Sequence, residues 1–143
     1  MTIGRRPLLL GFAALAWSPA LGAQRLGLKG YDPVAYFTLG KPTQGKADFE
    51  AEFDGATYRF ASAEHRDRFR SDPDRYAPQF AGACAGGVSM GMKIEANPEN
   101  FLIVDGKLFV FTTPVAGESP AKVKELLAQA GHQWPALQDK PFR

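Results

Sequence analysis

The sequence predicts a small α+β domain of two β-hairpins, several short helices and one longer amphipathic helix at the C-terminal end. Two strand-like stretches, the first of them alternating apolar and polar residues, are each interrupted by Asp-Gly, a favoured sequence for a type I′ hairpin turn. Near the end of the chain, apolar residues recur at helical spacing. No internal repeat or domain boundary separates these elements, so we expect residues 24–143 to form one domain.

The two hairpins are predicted around Asp54-Gly55 and Asp105-Gly106. Residues 48–53 alternate acidic and apolar side chains before the first turn, and residues 56–61 continue the alternation after it. Residues 101–104 and 107–111 are mostly apolar and flank the second turn. Because successive side chains of a strand point to opposite faces, the alternation in the first hairpin predicts strands with one buried face.

Capping residues predict where the short helices begin. Asp32 precedes a proline and a helix over residues 33–39, since aspartate caps a helix and proline fits its first position. Ser62 caps a second helix over residues 63–70 in the same way. A further helical turn follows Asp72-Pro73.

The last helix is predicted to begin at Ser119-Pro120 and to end at Gly131. Its apolar residues fall at i, i+3, i+4 and i+7, which gives one face for packing. Between the hairpins, residues 81–91 are mostly small, and their pattern fits either a loop or a loose helical turn. The apolar residues of the last helix are Val123, Leu126, Leu127 and Ala130.

Residues 1–23 have the order of a secretory signal peptide. Two arginines at positions 5–6 precede an apolar run over residues 8–17, and small residues follow it. The run has about half the length that a helix needs to cross a bilayer, so a cleaved leader is favoured over a membrane anchor. We expect cleavage after Gly22 or Ala23 and a periplasmic or secreted protein with no membrane span.

The arginine pair also resembles a twin-arginine export signal, so that route and general secretion both remain open. The chain has 17 Lys and Arg against 15 Asp and Glu, and removal of the leader takes two arginines and no acid. A balanced mature domain has no electrostatic surface for nucleic acid, which is therefore not an expected partner. Enzyme motifs such as Gly-x-Ser-x-Gly and the phosphate loop are missing, so catalysis is the less favoured interpretation.

Residues 31–76 carry several motifs in the order of one known family. Tyr31-Asp32-Pro33-Val34 opens the segment, Tyr58-Arg59-Phe60 ends a hairpin before a short helix, and Asp72-Pro73-Asp74-Arg75-Tyr76 closes it. By these motifs the chain resembles a YHS domain, and its continuation is similar to exported single-domain YHS proteins. The resemblance implies relatedness to metal-binding YHS and TRASH domains.

The metal-binding members of that family carry three cysteines, whose positions here are Ala35, Ala61 and His65. Alanine has no lone pair to donate, so the resemblance implies that the inherited thiolate site is absent. Exported members carry a cysteine after the Asp-Pro-x-x-Tyr segment. Cys84 occupies that position, although small residues replace the aromatic neighbours usual in the family.

Cys84 is the only cysteine, so no internal disulfide can form. An unpaired thiol in an exported protein is reactive, metal-binding or simply packed as a small apolar side chain. Met90 and Met92 follow it closely, and His65 lies in a first helical turn, where neutral imidazole is favoured. Thiolate, thioether and imidazole are soft ligands that suit Cu(I), but each of these side chains could equally serve the core.

Three hypotheses follow. The first is a binding module for a soft metal, with copper favoured, centred on Cys84 with His65, Met90 and Met92 as further metal ligands. The second is a thiol redox protein that uses Cys84 alone. The third is a ligand-free domain with an unidentified protein partner. Burial of the cysteine among Phe and Leu, away from every His and Met, would argue against the first two.

Overall fold

The computed structural model describes residues 24–143, and the leader predicted at residues 1–23 lies outside this range. The described chain is an α+β domain, as predicted, and none of its helices is long and apolar enough to span a membrane. Its strands are β1 (Arg25–Leu26), β2 (Lys46–Phe53), β3 (Ala56–Phe60), β4 (Asn97–Val104) and β5 (Lys107–Phe111). Its α-helices are α1 (Ala35–Thr38), α2 (Ala63–Ser71), α3 (Pro73–Tyr76), α4 (Ala85–Ser89) and α5 (Pro120–Leu137), with 3₁₀ helices at Gly27–Gly30 and Gln79–Gly82.

The first hairpin is confirmed. β2 and β3 pair antiparallel, and the turn residues Asp54 and Gly55 have φ values of 49° and 77°. These left-handed values are what a type I′ turn requires at both central positions. The two-residue β1 adds in parallel to β3, which gives a three-stranded sheet in the order β1-β3-β2.

The second hairpin is also confirmed. β4 and β5 pair antiparallel around Asp105 and Gly106, whose φ values are 52° and 75°. An isolated parallel bridge between Cys84 and Val110 joins this two-stranded sheet to the segment that contains the cysteine. The second hairpin therefore fixes the position of that segment.

The capping predictions are confirmed at α2 and α5, whereas α1 spans only Ala35–Thr38 instead of residues 33–39 and has Val34 at its N-cap position. Asp32 Oδ1 accepts the backbone N–H of Val34 at 2.8 Å, just before α1. Ser62 Oγ accepts the backbone N–H of His65 at 3.2 Å and caps α2. Ser119 caps α5 through the N–H of Lys122. Each cap satisfies a helix donor that has no partner within the helix.

The end predicted for the last helix is wrong. α5 does not stop at Gly131 but continues to Leu137, because Trp134 and Leu137 pack with Val88 of α4. Pro135 lies inside this extension and has no N–H for the carbonyl of Gly131, four residues earlier. Tertiary packing outweighs the local stop signal.

Residues 81–91, which could not be assigned from the sequence, include the end of the 3₁₀ helix Gln79–Gly82 and all of α4. The 3₁₀ helix contains two consecutive left-handed residues, Phe80 and Ala81, with φ values of 57° and 54°. Non-glycine residues adopt this conformation only where the surrounding packing imposes it. This unusual backbone explains why no pattern predicted the segment.

The main core lies between the two sheets and the helices. Its largest fully buried side chains include Tyr36, Tyr58, Phe60 and Phe69. The predicted apolar face of α5 also packs there, through Leu126 and Leu127.

Candidate functional site

Cys84 lies at the floor of a pocket of about 370 Å³ between α4, the segment after β5 and helix α5. The residue caps α4 and is only 3% exposed, yet it is part of the pocket surface. The walls are largely apolar. The side chains that line the pocket include Met90, Ile94, Phe111, Val115, Val123 and Leu126.

The Cys84 sulfur receives hydrogen bonds from two directions. The backbone N–H of Thr112 donates to Sγ at 3.2 Å, and that of Gly87 donates at 3.5 Å. The hydroxyl oxygen of Thr112 lies 3.5 Å from the same sulfur. Such donors can satisfy a thiolate, which is the form of cysteine that binds metals and attacks electrophiles.

The two glycines beside the cysteine have different roles. A Cβ added to Gly87 would lie 2.8 Å from Ile94 Cγ1, so glycine is needed there for close packing. A Cβ added to Gly86 would meet only Cys84 Sγ, at 3.7 Å, which is an ordinary contact. The backbone at Gly86 therefore has room for a small side chain beside the sulfur.

The structure separates the two methionines. Met90 is 69% exposed and lines the pocket together with Cys84. Met92 is partly buried and is not among the pocket residues. Of the two candidate thioethers, the structure brings only that of Met90 to the Cys84 pocket.

His65 lies elsewhere, at the start of α2, and does not line the Cys84 pocket. Its Nδ1 is 2.6 Å from Asp32 Oδ2, and its Nε2 is 3.1 Å from Thr38 Oγ1. Because an ionised carboxylate only accepts hydrogen bonds, Nδ1 is the donor in the first contact. Both ring nitrogens of His65 are therefore engaged within the protein.

Asp32 is the centre of this second cluster. The residue is fully buried, and its carboxylate accepts the backbone N–H groups of Val34, Ala35 and Ala61 besides the ring of His65. Four donors from three parts of the chain thus meet on one side chain. The sequence indicated the helix cap but not the two long-range contacts.

The residues at this cluster do not fit the metal site of the cysteine-containing YHS domains. Ala35, Ala61 and His65 do converge, but they converge on the carboxylate of Asp32. Two of them offer no ligand atom, and the third has both nitrogens occupied. Within residues 24–143 there is also no group of three or more His, Cys, Asp or Glu side chains that could hold a metal ion.

Comparison with protein families identifies this half of the domain. A family model described as the YHS domain matches residues 34–80. The chain contains a YHS domain. The match spans α1, the first hairpin, α2 and α3, and it includes His65 but ends before Cys84.

YHS domains are associated with metal binding in general. No curated protein and no solved structure matches the chain significantly. The pocket around Cys84 therefore lies C-terminal to the YHS match, in the part of the chain where the comparisons offer no guide.

Sequence reasoning missed Thr112, whose backbone N–H donates to Cys84 Sγ and whose hydroxyl oxygen lies 3.5 Å from the same sulfur. Thr112 directly follows β5, and nothing in its local sequence marks it. The only signal in the sequence was indirect: a strand was predicted up to residue 111, and the residue that follows a strand must lie beside another segment of the fold.

Proposed function

We propose that the protein is an exported metal-binding module that holds a soft ion, Cu(I), at the floor of the pocket. Cys84 would supply a thiolate and Met90 a thioether. One observation carries the proposal: these two sulfur-bearing side chains line the same pocket. Thiolate and thioether ligands select Cu(I) over harder ions.

The surroundings of Cys84 support this function. N–H groups directed at the sulfur from Thr112 and Gly87 can stabilise the charged thiolate that a metal requires. Two protein sulfurs leave the coordination of the ion open, whereas structural zinc sites are closed by four ligands. An open site suits an ion that is taken up and released.

The assignment of ligands is narrower than the sequence suggested. His65 is held by Asp32 and Thr38, and Met92 lies outside the pocket, so neither is included in the proposed site. Export to the periplasm or beyond remains a prediction from the leader. N-terminal sequencing of the exported protein, with cleavage expected after Gly22 or Ala23, tests it.

The decisive experiment is a titration of the reduced protein with Cu(I) against a chelator of known affinity. We expect one ion per chain, and Cys84→Ser should abolish this stoichiometric binding. Met90→Leu should weaken it by about tenfold, the scale expected for a group that supports a metal site. Met92→Leu is the matched control and should bind normally. Equal binding by the wild type and Cys84→Ser would overturn the proposal.

The hydrogen bonds to Sγ also favour a second candidate, a thiol redox protein. In that reaction the Cys84 thiolate attacks the terminal oxygen of a hydroperoxide. The O–O bond breaks, the sulfur becomes a sulfenic acid, and an alcohol or water leaves. The chain has no second cysteine, so reduction requires an external thiol. Trapping of the sulfenic acid by dimedone, detected by mass spectrometry, tests this function. Absence of both copper binding and trapping would favour a partner-binding domain.

A further inference from the structure

The Cys84 pocket is larger than a metal ion needs. Its volume of about 370 Å³ falls within the range of roughly 300–1,000 Å³ typical of pockets for small organic molecules. An ion bound to Cys84 would occupy only the floor. Most of the pocket volume would then remain available for a second bound molecule.

The chemistry of the pocket walls indicates which class of molecule could fill this volume. Phe111, Val115 and Val123 present hydrocarbon surface, which cannot ligate a metal but favours burial of apolar groups. The charged groups lie on α5 and just before it, where Lys122 Nζ and Glu118 Oε2 form an ion pair at 3.2 Å. The pocket thus combines a sulfur at its floor with apolar walls.

The geometry points to a small aliphatic thiol as a second occupant, bound with its chain against the apolar walls and its sulfur beside Cys84. This inference rests on the proposed function, since the thiol would share the Cu(I) ion with Cys84 and Met90. Cu(I) favours soft sulfur donors, and the protein provides only these two in the pocket. The cargo would be a copper–thiol complex rather than a bare ion.

Gly86 offers a way to close the pocket without altering any proposed ligand. It lies in α4 beside the sulfur, and an added Cβ makes an ordinary contact there. Gly86→Leu should therefore place a side chain over Sγ, whereas Gly86→Ala should add only a methyl group. Val123→Phe, at a pocket-lining position on α5, fills the pocket independently in case the first variant does not fold.

The first test needs no copper. Alkyl methanethiosulfonates of increasing chain length form a disulfide between Cys84 and the alkylthio group and release methanesulfinate. Relative to free cysteine, the rate for the wild type should rise by about fourfold with each added methylene, until the pocket is filled. Gly86→Leu should remove this dependence, and Gly86→Ala should retain it. Rates that do not depend on chain length in the wild type would overturn the inference.

The second test uses Cu(I) with either 1-butanethiol or 4-mercapto-1-butanol and detects complexes by native mass spectrometry. A ternary complex that prefers butanethiol supports the inference, and a copper complex that excludes both thiols overturns it. If no copper binds but the chain-length dependence remains, the proposed function fails while the apolar thiol pocket stands. The two failures are therefore distinguishable.

Discussion

The cluster around Asp32 and the pocket around Cys84 differ in how completely their polar groups are satisfied. The Asp32 carboxylate is fully buried and accepts four hydrogen bonds, two at each oxygen. The Cys84 sulfur also has protein donors, but Cys84 and Gly86 line a pocket. The first arrangement leaves no room for a ligand, whereas the second does. The buried contacts of Asp32 therefore serve the fold next to and within the YHS match, whereas the proposed site lies beyond that match.

The largest effect that would test this comparison is expected from Asp32→Ala. Removal of the carboxylate leaves three buried N–H groups and His65 without their acceptor, so we expect a loss of about 3 kcal/mol in the free energy of unfolding. Urea denaturation measures the loss. Asp48→Ala, at an exposed position of β2, is the control and should change stability little. A comparable loss of stability in Asp48→Ala would show that the effect is not specific to the buried carboxylate of Asp32.

Alkaline pH should also destabilise the part of the domain that contains Asp32, Tyr36 and Tyr58. Burial raises the pKa of Tyr58 from its usual value near 10 to about 12. Burial, and next the neighbouring Tyr31 and Asp32, raise the pKa of Tyr36 as well. Above pH 10 the unfolded chain therefore loses protons that the folded chain keeps, so stability is present below pH 10 and falls as the pH rises.

The expected slope is about 1.4 kcal/mol per pH unit for each tyrosine. Urea denaturation from pH 9 to 12 measures this slope, and Tyr58→Phe should reduce it by the contribution of one tyrosine. An unchanged slope in this variant would show that Tyr58 ionises equally well in the folded and unfolded chains.

A smaller effect is expected from His65→Gln, which sharpens the comparison by separating stability from metal binding. Asp32 keeps its three backbone donors in this variant, so we expect a loss of about 1–2 kcal/mol on unfolding. Copper affinity should not change, because His65 lies outside the Cys84 pocket. A fall in copper affinity with stability intact would instead return His65 to the metal site.

The smallest predicted effect concerns Thr112. Thr112→Val removes the hydroxyl near Sγ but keeps the backbone donor, so alkylation of Cys84 by iodoacetamide should slow by about fivefold. Thr112→Ser should restore the rate. Thr113→Val is the matched control, since Thr113 lines the same pocket and the hydrogen bonds to Sγ in the described structure come from Thr112 and Gly87. Equal rates in all three variants would show that the hydroxyl does not act on Cys84.

The features that the sequence predicted are those set by neighbouring residues. Asp54-Gly55 and Asp105-Gly106 determine their turns through their own backbone preferences, and Ser62 caps a helix that begins at the next residue. The YHS motifs add a set of such local features in a fixed order. The fold class was predictable for this reason.

The contacts that define the candidate site were not predictable, because they join distant parts of the chain. Thr112 meets Cys84 across 28 residues, and Asp32 meets His65 across 33. Met90 and Met92 are equivalent in the sequence, and only the path of the chain after α4 places one of them at the pocket. The sequence could therefore offer Cys84, His65, Met90 and Met92 as candidates, but it could not indicate which of them lie at one pocket.

The hydrogen bonds of Asp32 also have a consequence for how the domain opens. Ala35 and Ala61 donate to the same carboxylate although 26 residues separate them. Fraying of one segment alone would leave the buried charge short of donors, so α1, the end of β3 and the start of α2 should open together as one cooperative unit. Their amides would exchange with deuterium at a common slow rate. The amide of Thr112, at the edge of the pocket, would exchange through smaller, independent openings.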